Sequence, residues 1–327
     1  MSKIRAGIYG YGNIARGIEA AILKNTDFSL EAVFTRRDPS KVKVATKGVK
    51  AVAADKVLGY KDRIDVMFLC GGSATDLPAQ APELAKHFNI IDSYDTHAKI
   101  PEYLETVDRQ AKLGKKAAVI SVGWDPGLFS SVKALLAAIL PDGKNYAFWG
   151  PGVSQGHGDA IRRIKGVAGA VQYTVPVESV VNEIRNGSVK EYTVRQKNRR
   201  VCYVAAEAGA DRAEIERSIK EMPYYFSEYD VEVHFVSLAE LEKEHSKMAH
   251  AGHVFRNGET SAGLDYSVEF SIKFGSNPEF TGSIMTAYAR AALRLYNEKN
   301  YGAKTALDIP PSYLSPKDRK DQVKEFL

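Results

Sequence analysis

The sequence opens with a short apolar run that leads into a glycine-rich turn and then into a helical pattern. The run covers Ile4 to Tyr9, and the turn Gly10-Tyr11-Gly12-Asn13-Ile14-Ala15 follows directly. In a dinucleotide-binding unit, Gly10 permits the tight turn, Gly12 lets the backbone approach a pyrophosphate, and Ala15 lets the helix pack on the strand. Glycine turns also end strands for purely structural reasons. The position of this turn between a strand and a helix favours the dinucleotide site.

A second strand is predicted from Leu30 to Phe34, and the residues after it bear on the choice of cofactor. The strand ends in Thr35-Arg36-Arg37-Asp38, where an NAD-binding chain usually carries an acid for the ribose hydroxyls. Guanidinium groups bind a phosphate through paired hydrogen bonds, whereas an acid would repel it. We therefore predict NADP as the cofactor. The alternative is that Arg36 and Arg37 lie in a solvated loop and Asp38 turns inward to a ribose.

Composition excludes several other classes of function. With 327 residues, 44% hydrophobic and 26% charged, the chain can form two domains with sizeable cores. The net charge of +5 is modest and the basic residues are dispersed, so we expect no nucleic-acid partner. We also expect no membrane partner and a cytoplasmic location, because no apolar segment has membrane-spanning length and the amino terminus has the pattern of a strand. Cys70 and Cys202 have no metal-binding spacing, so we expect no metal.

Strands and helices alternate through the first part of the chain. We predict strands at Val66 to Cys70, Asn89 to Ile91 and Ala117 to Ser121, and helices at Leu77 to Phe88 and Pro101 to Leu113. This alternation predicts an α/β fold with a Rossmann-type doubly wound parallel sheet, whose ligands bind at the carboxyl ends of the strands. The residues expected to converge in one crevice at that edge are Gly10, Gly12, Arg36, Gly71, Asp95 and Asp125.

The pattern changes in the second half of the chain. Val231 to Phe235 and Tyr266 to Ile272 alternate apolar and polar residues, which indicates a sheet with one solvated face. Helices near Val177 to Arg185 and Asp211 to Glu221 complete a second, α+β domain. A long helix near Phe280 to Tyr296 is expected to pack back on the first domain. The predicted segments are a dinucleotide-binding domain over 1–143, a substrate domain over 144–277, and a C-terminal helix and tail over 278–327.

Asp95 and Asp125 follow two of the predicted strands and are candidates for chemistry. Two carboxylates beside a nicotinamide could bind an ammonium group and accept a proton as water adds to an imine. The alternative is that Asp95 caps a helix and Asp125 stabilises the turn Trp124-Asp125-Pro126-Gly127. The residues alone favour neither interpretation. In the second domain, Arg200 has the chemistry to bind a substrate carboxylate, but its spacing does not single it out.

A series of short motifs, taken in order, resembles the meso-diaminopimelate dehydrogenase family. The motifs are Gly10-Tyr11-Gly12-Asn13, Thr35-Arg36-Arg37, Cys70-Gly71-Gly72-Ser73-Ala74-Thr75-Asp76, Ser93-Tyr94-Asp95-Thr96-His97, Gly123-Trp124-Asp125-Pro126-Gly127, Phe148-Trp149-Gly150-Pro151-Gly152 and Ser154-Gln155-Gly156-His157. The glycine motif is shared with many dehydrogenases, but the later motifs together are specific. The resemblance runs nearly the full length of the chain.

The resemblance implies an activity, a cofactor and an assembly. The reaction is the reversible, NADP-dependent oxidative deamination of the D centre of meso-2,6-diaminopimelate to L-2-amino-6-oxopimelate, ammonia and NADPH, which serves lysine biosynthesis. The second domain would also form a homodimer. The implied catalytic residues are Asp95 and Asp125, and the implied substrate residues are Trp149, Gln155 and Gly156 at the reacting end, Thr174, Arg200 and His250 at the distal L-configured end, and Asn277. The implied cofactor residues are Gly10, Tyr11, Gly12, Asn13, Ile14, Thr35, Arg36, Arg37, Cys70, Gly71, Gly72, Ser73, Ala74, Ser93, Tyr94, Asp95, Val122, Gly123, Trp124, Asp125, Pro126 and Gly127.

The chain departs from the family's pattern at two positions. Ala249 stands where a proline is expected between Met248 and His250, and Gly158 stands where a serine is common. Both changes could loosen the loop around His250. The alternatives to this function are another NADPH-dependent enzyme of this architecture, similar to dihydrodipicolinate reductase or saccharopine dehydrogenase, and a non-enzymatic NADP-binding sensor.

Overall fold

The computed structural model describes residues 3–223 and 225–327, and the side chain of Gln155 also lies outside the description. The chain divides into two compact units. Unit 1 comprises the described residues up to Ser131 together with Pro278–Leu327, and unit 2 comprises Val132–Asn277.

The strands, in chain order, are β1 (Ile4–Tyr9), β2 (Phe28–Thr35), β3 (Ala51–Ala53), β4 (Val66–Leu69), β5 (Asn89–Asp92), β6 (Ala117–Val119), β7 (Gly143–Trp149), β8 (Gly152–Val153), β9 (Val167–Pro176), β10 (Asn198–Ala206), β11 (Asp230–Phe235), β12 (His250–Ser261), β13 (Leu264–Phe274) and β14 (Gly302–Lys304). The helices are α1 (Asn13–Lys24), α2 (Leu77–Ala85), α3 (Ile100–Leu113), α4 (Leu128–Ile139), α5 (Gln155–Arg162), α6 (Glu178–Arg185), α7 (Val194–Lys197), α8 (Arg212–Lys220), α9 (Leu238–His245), α10 (Asn277–Asn297) and α11 (Arg319–Phe326).

Unit 1 is built on a seven-stranded sheet with the strand order β14-β6-β5-β4-β1-β2-β3. All of its neighbouring strands run parallel. The order of the chain reverses between β1 and β4, and doubly wound sheets bind their ligands at the carboxyl ends beside such a switch point. The predicted Rossmann-type sheet is therefore confirmed, and each strand and helix predicted in this region occurs with its boundaries shifted by a few residues.

The parallel sheet of unit 1 is buried on both faces. Along β4, Val66 and Phe68 contribute to one hydrophobic core, while Met67 and Leu69 contribute to the other. The first core also contains α10, through residues that include Met285 and Ala289. A strand buried on both faces needs apolar side chains on both, which explains why β4 reads as a continuous apolar run.

Unit 2 contains two smaller sheets. One has the order β11-β10-β9-β8, in which β10 runs antiparallel to β9 and parallel to β11. The other, β13-β12-β7, is antiparallel. The α+β character of this unit is as predicted. The sequence also predicts a loop over the glycine-rich stretch Ser154 to Gly158, and this prediction is wrong. The structure begins α5 within it, because Gly158 N–H donates to the Ser154 carbonyl oxygen at 3.1 Å and the Ser154 hydroxyl bonds to His157 Nδ1 at 2.7 Å.

In the described part of the chain, the helices are all too short or too polar to cross a lipid bilayer. The same residues contain no cluster of three His, Cys, Asp or Glu side chains arranged to hold a metal ion.

Candidate active site

The glycine turn after β1 forms the floor of the candidate cofactor site. Gly10 has a φ of +91°, which L side chains rarely adopt, and a Cβ there would lie 3.1 Å from the carbonyl oxygen of Cys70. Gly12 precedes α1, and a Cβ at this position would meet no described atom within 4 Å. None of the described residues in the first turn of α1 is acidic. The backbone N–H groups at this helix start are therefore arranged to bind a phosphate.

A cavity of about 260 Å³ lies beside this turn. It is bordered by the segments that follow β1, β2 and β4, which are neighbours in the sheet. The predicted cofactor residues that line it are Gly10, Tyr11, Gly12, Thr35, Arg36, Arg37, Cys70, Gly71 and Gly72. The structure thus brings together residues that are widely separated in sequence.

Both arginines after β2 make specific contacts at this cavity. Arg36 Nη1 and Nη2 donate to the two carboxylate oxygens of Asp76 at 2.9 and 2.8 Å, and Arg37 Nη2 donates to the Tyr11 carbonyl oxygen at 2.6 Å. The Asp76 carboxylate also accepts from Gly72 N–H at 2.9 Å, and this bond and Arg36 lower the pKa of Asp76. The two terminal nitrogens of Arg36 therefore already bind one anionic group, the Asp76 carboxylate. Asp76 was not identified as a site residue, although it closes a motif quoted for the family.

Tyr11 is held by a buried carboxylate. Its hydroxyl donates to Glu19, which is only 2% exposed and also accepts from Thr46 N–H and Oγ1 at 2.6 Å each. Burial and the hydrogen bond to Glu19 raise the pKa of Tyr11 to about 12, so the phenol stays protonated. These contacts hold Tyr11, and with it the glycine turn, in place.

A second buried carboxylate, Asp92, joins the ends of β5 and β6. It accepts from the Tyr103 hydroxyl at 2.6 Å, from Tyr94 N–H at 3.0 Å and from Ser121 N–H at 2.9 Å. Burial raises the pKa of Asp92. The residue was missed because its partners come from three separate parts of the sequence. It anchors the two segments that carry Asp95 and Asp125.

Asp95 and Asp125 both lie in unit 1, in the segments after β5 and β6. Asp95 is exposed, and its N–H donates to Ser73 Oγ at 2.9 Å, which ties this segment to the one after β4. Helix α3 is preceded by Lys99, so Asp95 is not its cap. Asp125 is half-buried in a turn closed by the 2.8 Å bond from Gly123 N–H to the Pro126 carbonyl oxygen.

In unit 2, Arg200 and Thr174 lie directly opposite each other on β10 and β9. Arg200 is only 7% exposed, and its Nη1 donates to Thr174 Oγ1. The guanidinium carbon lies 3.9 Å from the centre of the Tyr229 ring. Burial lowers the pKa of Arg200, and its buried Nε has no hydrogen-bond partner among the described residues. A buried cation of this kind is suited to a carboxylate.

His250 begins β12 and packs against a glycine. A Cβ at Gly152 would lie 2.2 Å from the His250 ring, so only glycine leaves room for it. His250 Nδ1 lies 2.7 Å from the Ala251 carbonyl oxygen, and burial lowers the pKa of His250. Asn277 N–H donates to the Met248 carbonyl oxygen at 2.8 Å, which ties the segment before His250 to another predicted substrate residue.

The other predicted substrate residues of unit 2 lie at the end of β7 and at the start of α5. Trp149 ends β7 and is 38% exposed. Gly150, at a φ of +127°, approaches so closely that a Cβ would lie 2.1 Å from the Thr174 carbonyl oxygen. Gly156 is exposed in the first turn of α5, and the Gln155 side chain lies outside the described residues. The predicted set is thus divided, with the aspartates in unit 1 and the distal residues in unit 2.

Comparisons with known proteins agree with these motifs. Residues 123–276 match the family model of the diaminopimelic acid dehydrogenase C-terminal domain. The chain is 55% identical to the meso-diaminopimelate D-dehydrogenase of Ureibacillus thermosphaericus, with 100% of both chains covered.

Two solved structures are similar to the chain. A meso-DAP dehydrogenase mutant of Clostridium tetani E88, solved with DAP, has a TM-score of 0.94 and 47% identity over 99% of this chain and 100% of that one. An engineered D-amino acid dehydrogenase bound to NADP⁺ has a TM-score of 0.88 and 39% identity, with 100% of both chains covered. The chain therefore belongs to the meso-diaminopimelate D-dehydrogenase family.

Proposed function

We propose that this protein catalyses the reversible, NADP-dependent oxidative deamination of the D centre of meso-2,6-diaminopimelate. The products are L-2-amino-6-oxopimelate, ammonia and NADPH, and the reverse reaction serves lysine biosynthesis in the cytoplasm. The observation that carries the proposal is the full-length, 55% identity to a meso-diaminopimelate D-dehydrogenase. Unit 1 is proposed to bind the cofactor, and unit 2 to bind the substrate and form a homodimer.

The cavity of unit 1 offers hydrogen-bond donors that suit the phosphate groups of NADP. The start of α1 offers backbone N–H groups to the pyrophosphate, and Arg36 and Arg37 offer guanidinium groups to the 2′-phosphate. Bound NADP supplies the acceptor for the hydride that leaves the substrate Cα. The remaining predicted cofactor residues follow strands at the same edge of the sheet: Asn13 and Ile14 follow β1, Ser73 and Ala74 follow β4, Ser93, Tyr94 and Asp95 follow β5, and Val122 to Gly127 follow β6.

At the reacting end, Asp95 and Asp125 are proposed to bind the ammonium group of the D centre. The ammonium group must first lose a proton, and loss of hydride from Cα then leaves an iminium group; water adds to give a carbinolamine, which expels ammonia to form the oxo acid. Water must lose a proton as it adds to the iminium carbon. A carboxylate can accept this proton, and general base catalysis of this kind typically contributes 10²- to 10⁴-fold. The hydrogen bond from Asp95 N–H to Ser73 holds the backbone at Asp95, and the closed turn holds the backbone at Asp125. Trp149, Gln155 and Gly156 are proposed to line this end of the substrate.

At the distal end, Arg200 is proposed to bind the carboxylate of the L centre, with Thr174, His250 and Asn277 around it. Both ends of the substrate carry an amino acid group, so selection of the D centre requires specific binding of the other end. A buried, hydrogen-bonded cation rejects a substrate without that carboxylate, because its donors would then be left unpaired. Positioning of the reacting Cα–H in this way can supply several kcal/mol of the barrier.

The proposal is tested by the stoichiometry of the reaction. Purified protein incubated with NADP and meso-diaminopimelate should form NADPH and ammonia in a ratio of about one to one. In the reverse direction, oxidation of NADPH with the oxo acid should require ammonia. Oxidation without ammonia would indicate a reductase instead. Tight binding of NADPH without any turnover would indicate a sensor.

A further inference from the structure

Tyr229 lies against the guanidinium group of Arg200. It immediately precedes β11, which runs parallel to β10, and Arg200 is paired with Val231 on that strand. The Arg200 Cζ atom lies 3.9 Å from the centre of the Tyr229 ring. This is well within the 6 Å at which a cation is attracted by the face of an aromatic ring.

Two neighbouring side chains hold the guanidinium group of Arg200 in position. The Nη1 atom donates to Thr174 Oγ1 on the neighbouring strand, while the guanidinium carbon lies over the ring of Tyr229. All N–H groups of a guanidinium point outward in its plane. The attraction between the ring and the cation does not depend on these donors, and the buried Nε has no hydrogen-bond partner among the described residues, so it is available to a planar carboxylate.

The environment makes the stacked ring more effective than it would be on the surface. Arg200 is 7% exposed, so little water competes for the cation. Attraction between a cation and a ring grows when the pair is desolvated. A long side chain that is already ordered also loses less rotamer freedom when the ligand binds, which favours affinity.

We propose that Tyr229 is a positioning residue that holds the Arg200 guanidinium where it can bind the distal carboxylate of the substrate. This inference rests on the proposed function of Arg200. Tyr229 acts through Arg200 and does not touch the reacting atoms. Its removal should therefore weaken substrate binding and leave the hydride and water steps intact.

The test compares Tyr229→Met, which keeps bulk without a ring, with Tyr229→Phe, which keeps the ring. The Met variant should raise the KM for meso-diaminopimelate about 3- to 30-fold, the range that loss of a buried cation–π contact allows, with kcat changed less than about twofold. The Phe variant should keep both constants within about twofold of the parent. The matched control is Tyr203→Met. Tyr203 lies on the same strand as Arg200 but stacks on His245 and His234, so this variant should leave the KM unchanged.

A double-mutant cycle with Arg200→Met separates a positioning role from general damage. If Tyr229 acts through Arg200, then Tyr229→Met should lower kcat/KM less than about twofold further when Arg200 is already methionine. An equal loss in both backgrounds, or a fall in kcat with an unchanged KM, would overturn the inference. If Tyr229→Met does not fold, Tyr229→Leu carries the same comparison. An unchanged KM in Arg200→Met alone would instead overturn the proposed role of Arg200.

Discussion

Arg36 and Asp76 form a two-point ion pair that joins the segments after β2 and β4, the strands on either side of β1. The two hydrogen bonds measure 2.9 and 2.8 Å, and Asp76 is held in turn by Gly72 N–H. An end-on carboxylate uses only part of the guanidinium fork, and the N–H groups along its edge can bind a second anion. The pair therefore presents Arg36 at the cavity, beside the glycine turn, with donors directed along its free edge.

Replacement of Arg36 and Arg37 by alanine should change the preference between the two nicotinamide cofactors. Charged hydrogen bonds to the 2′-phosphate exist only with NADP, and their loss should raise its KM about 10- to 100-fold while the KM for NAD changes little. Steady-state kinetics with both cofactors checks this result. Arg63→Ala, an exposed arginine 3.9 Å from Glu31, is the control and should change neither KM. An equal rise for NADP and NAD would contradict the assignment.

Asp125→Asn should lower kcat at least about 100-fold, because the amide cannot accept a proton from the attacking water. The affinity for NADPH, measured by its fluorescence in equilibrium titration, should stay within about twofold of the parent. Asp62→Asn, an exposed aspartate of the same unit, serves as the matched control. Nearly normal turnover of Asp125→Asn would remove this residue from the chemistry.

His157 should make the folded protein sensitive to mild acid. Burial, together with the charge of Arg200, lowers the pKa of His157 to about 4, below its usual value near 6.5. Between these values the unfolded chain binds the proton and the folded chain does not, so the free energy of unfolding falls as the pH drops from about 6.5 to 4. Urea denaturation of His157→Gln should show a shallower fall, with a difference on the order of 1 to 3 kcal/mol. Parallel curves for parent and variant would show that His157 is protonated in the folded state.

Tyr103→Phe should destabilise unit 1 through Asp92. The substitution removes the 2.6 Å hydrogen bond to a carboxylate with no exposed surface, which should cost about 1 to 3 kcal/mol in the free energy of unfolding. Thermal and urea unfolding measure the change. Tyr266→Phe, on an exposed part of β13, is the control and should unfold like the parent.

The sequence was sufficient for the features that depend on local pattern. The glycine turn, the continuous apolar strands and the alternating strands of unit 2 each follow from residues that are near neighbours in the chain. The place of Arg36 and Arg37 beside the cavity was also predictable, because they directly follow the second strand, whose end lies near the ribose in folds of this kind.

The features that escaped prediction depend on partners distant in sequence. In the sequence, Glu19 is a single charged residue within a helical pattern. In the structure it is buried, and both Tyr11 and Thr46 donate hydrogen bonds to its carboxylate. Asp92 looks like the polar end of a strand, and only folding brings Tyr103 and Ser121 to it. Tyr229 carries no motif, and its place on Arg200 follows from the pairing of β10 with β11. Spacing along the chain cannot report such contacts.

The proposed site selects one stereocentre of the substrate by binding the other. Initial-rate reduction of NADP with the meso, LL and DD isomers of diaminopimelate in turn tests this selection. Turnover should be confined largely to the meso isomer, because only this isomer presents a D centre for oxidation together with an L centre for Arg200 and its neighbours. Comparable rates with the meso and DD isomers would contradict this selection, because the enzyme would then not distinguish the configuration of the distal centre.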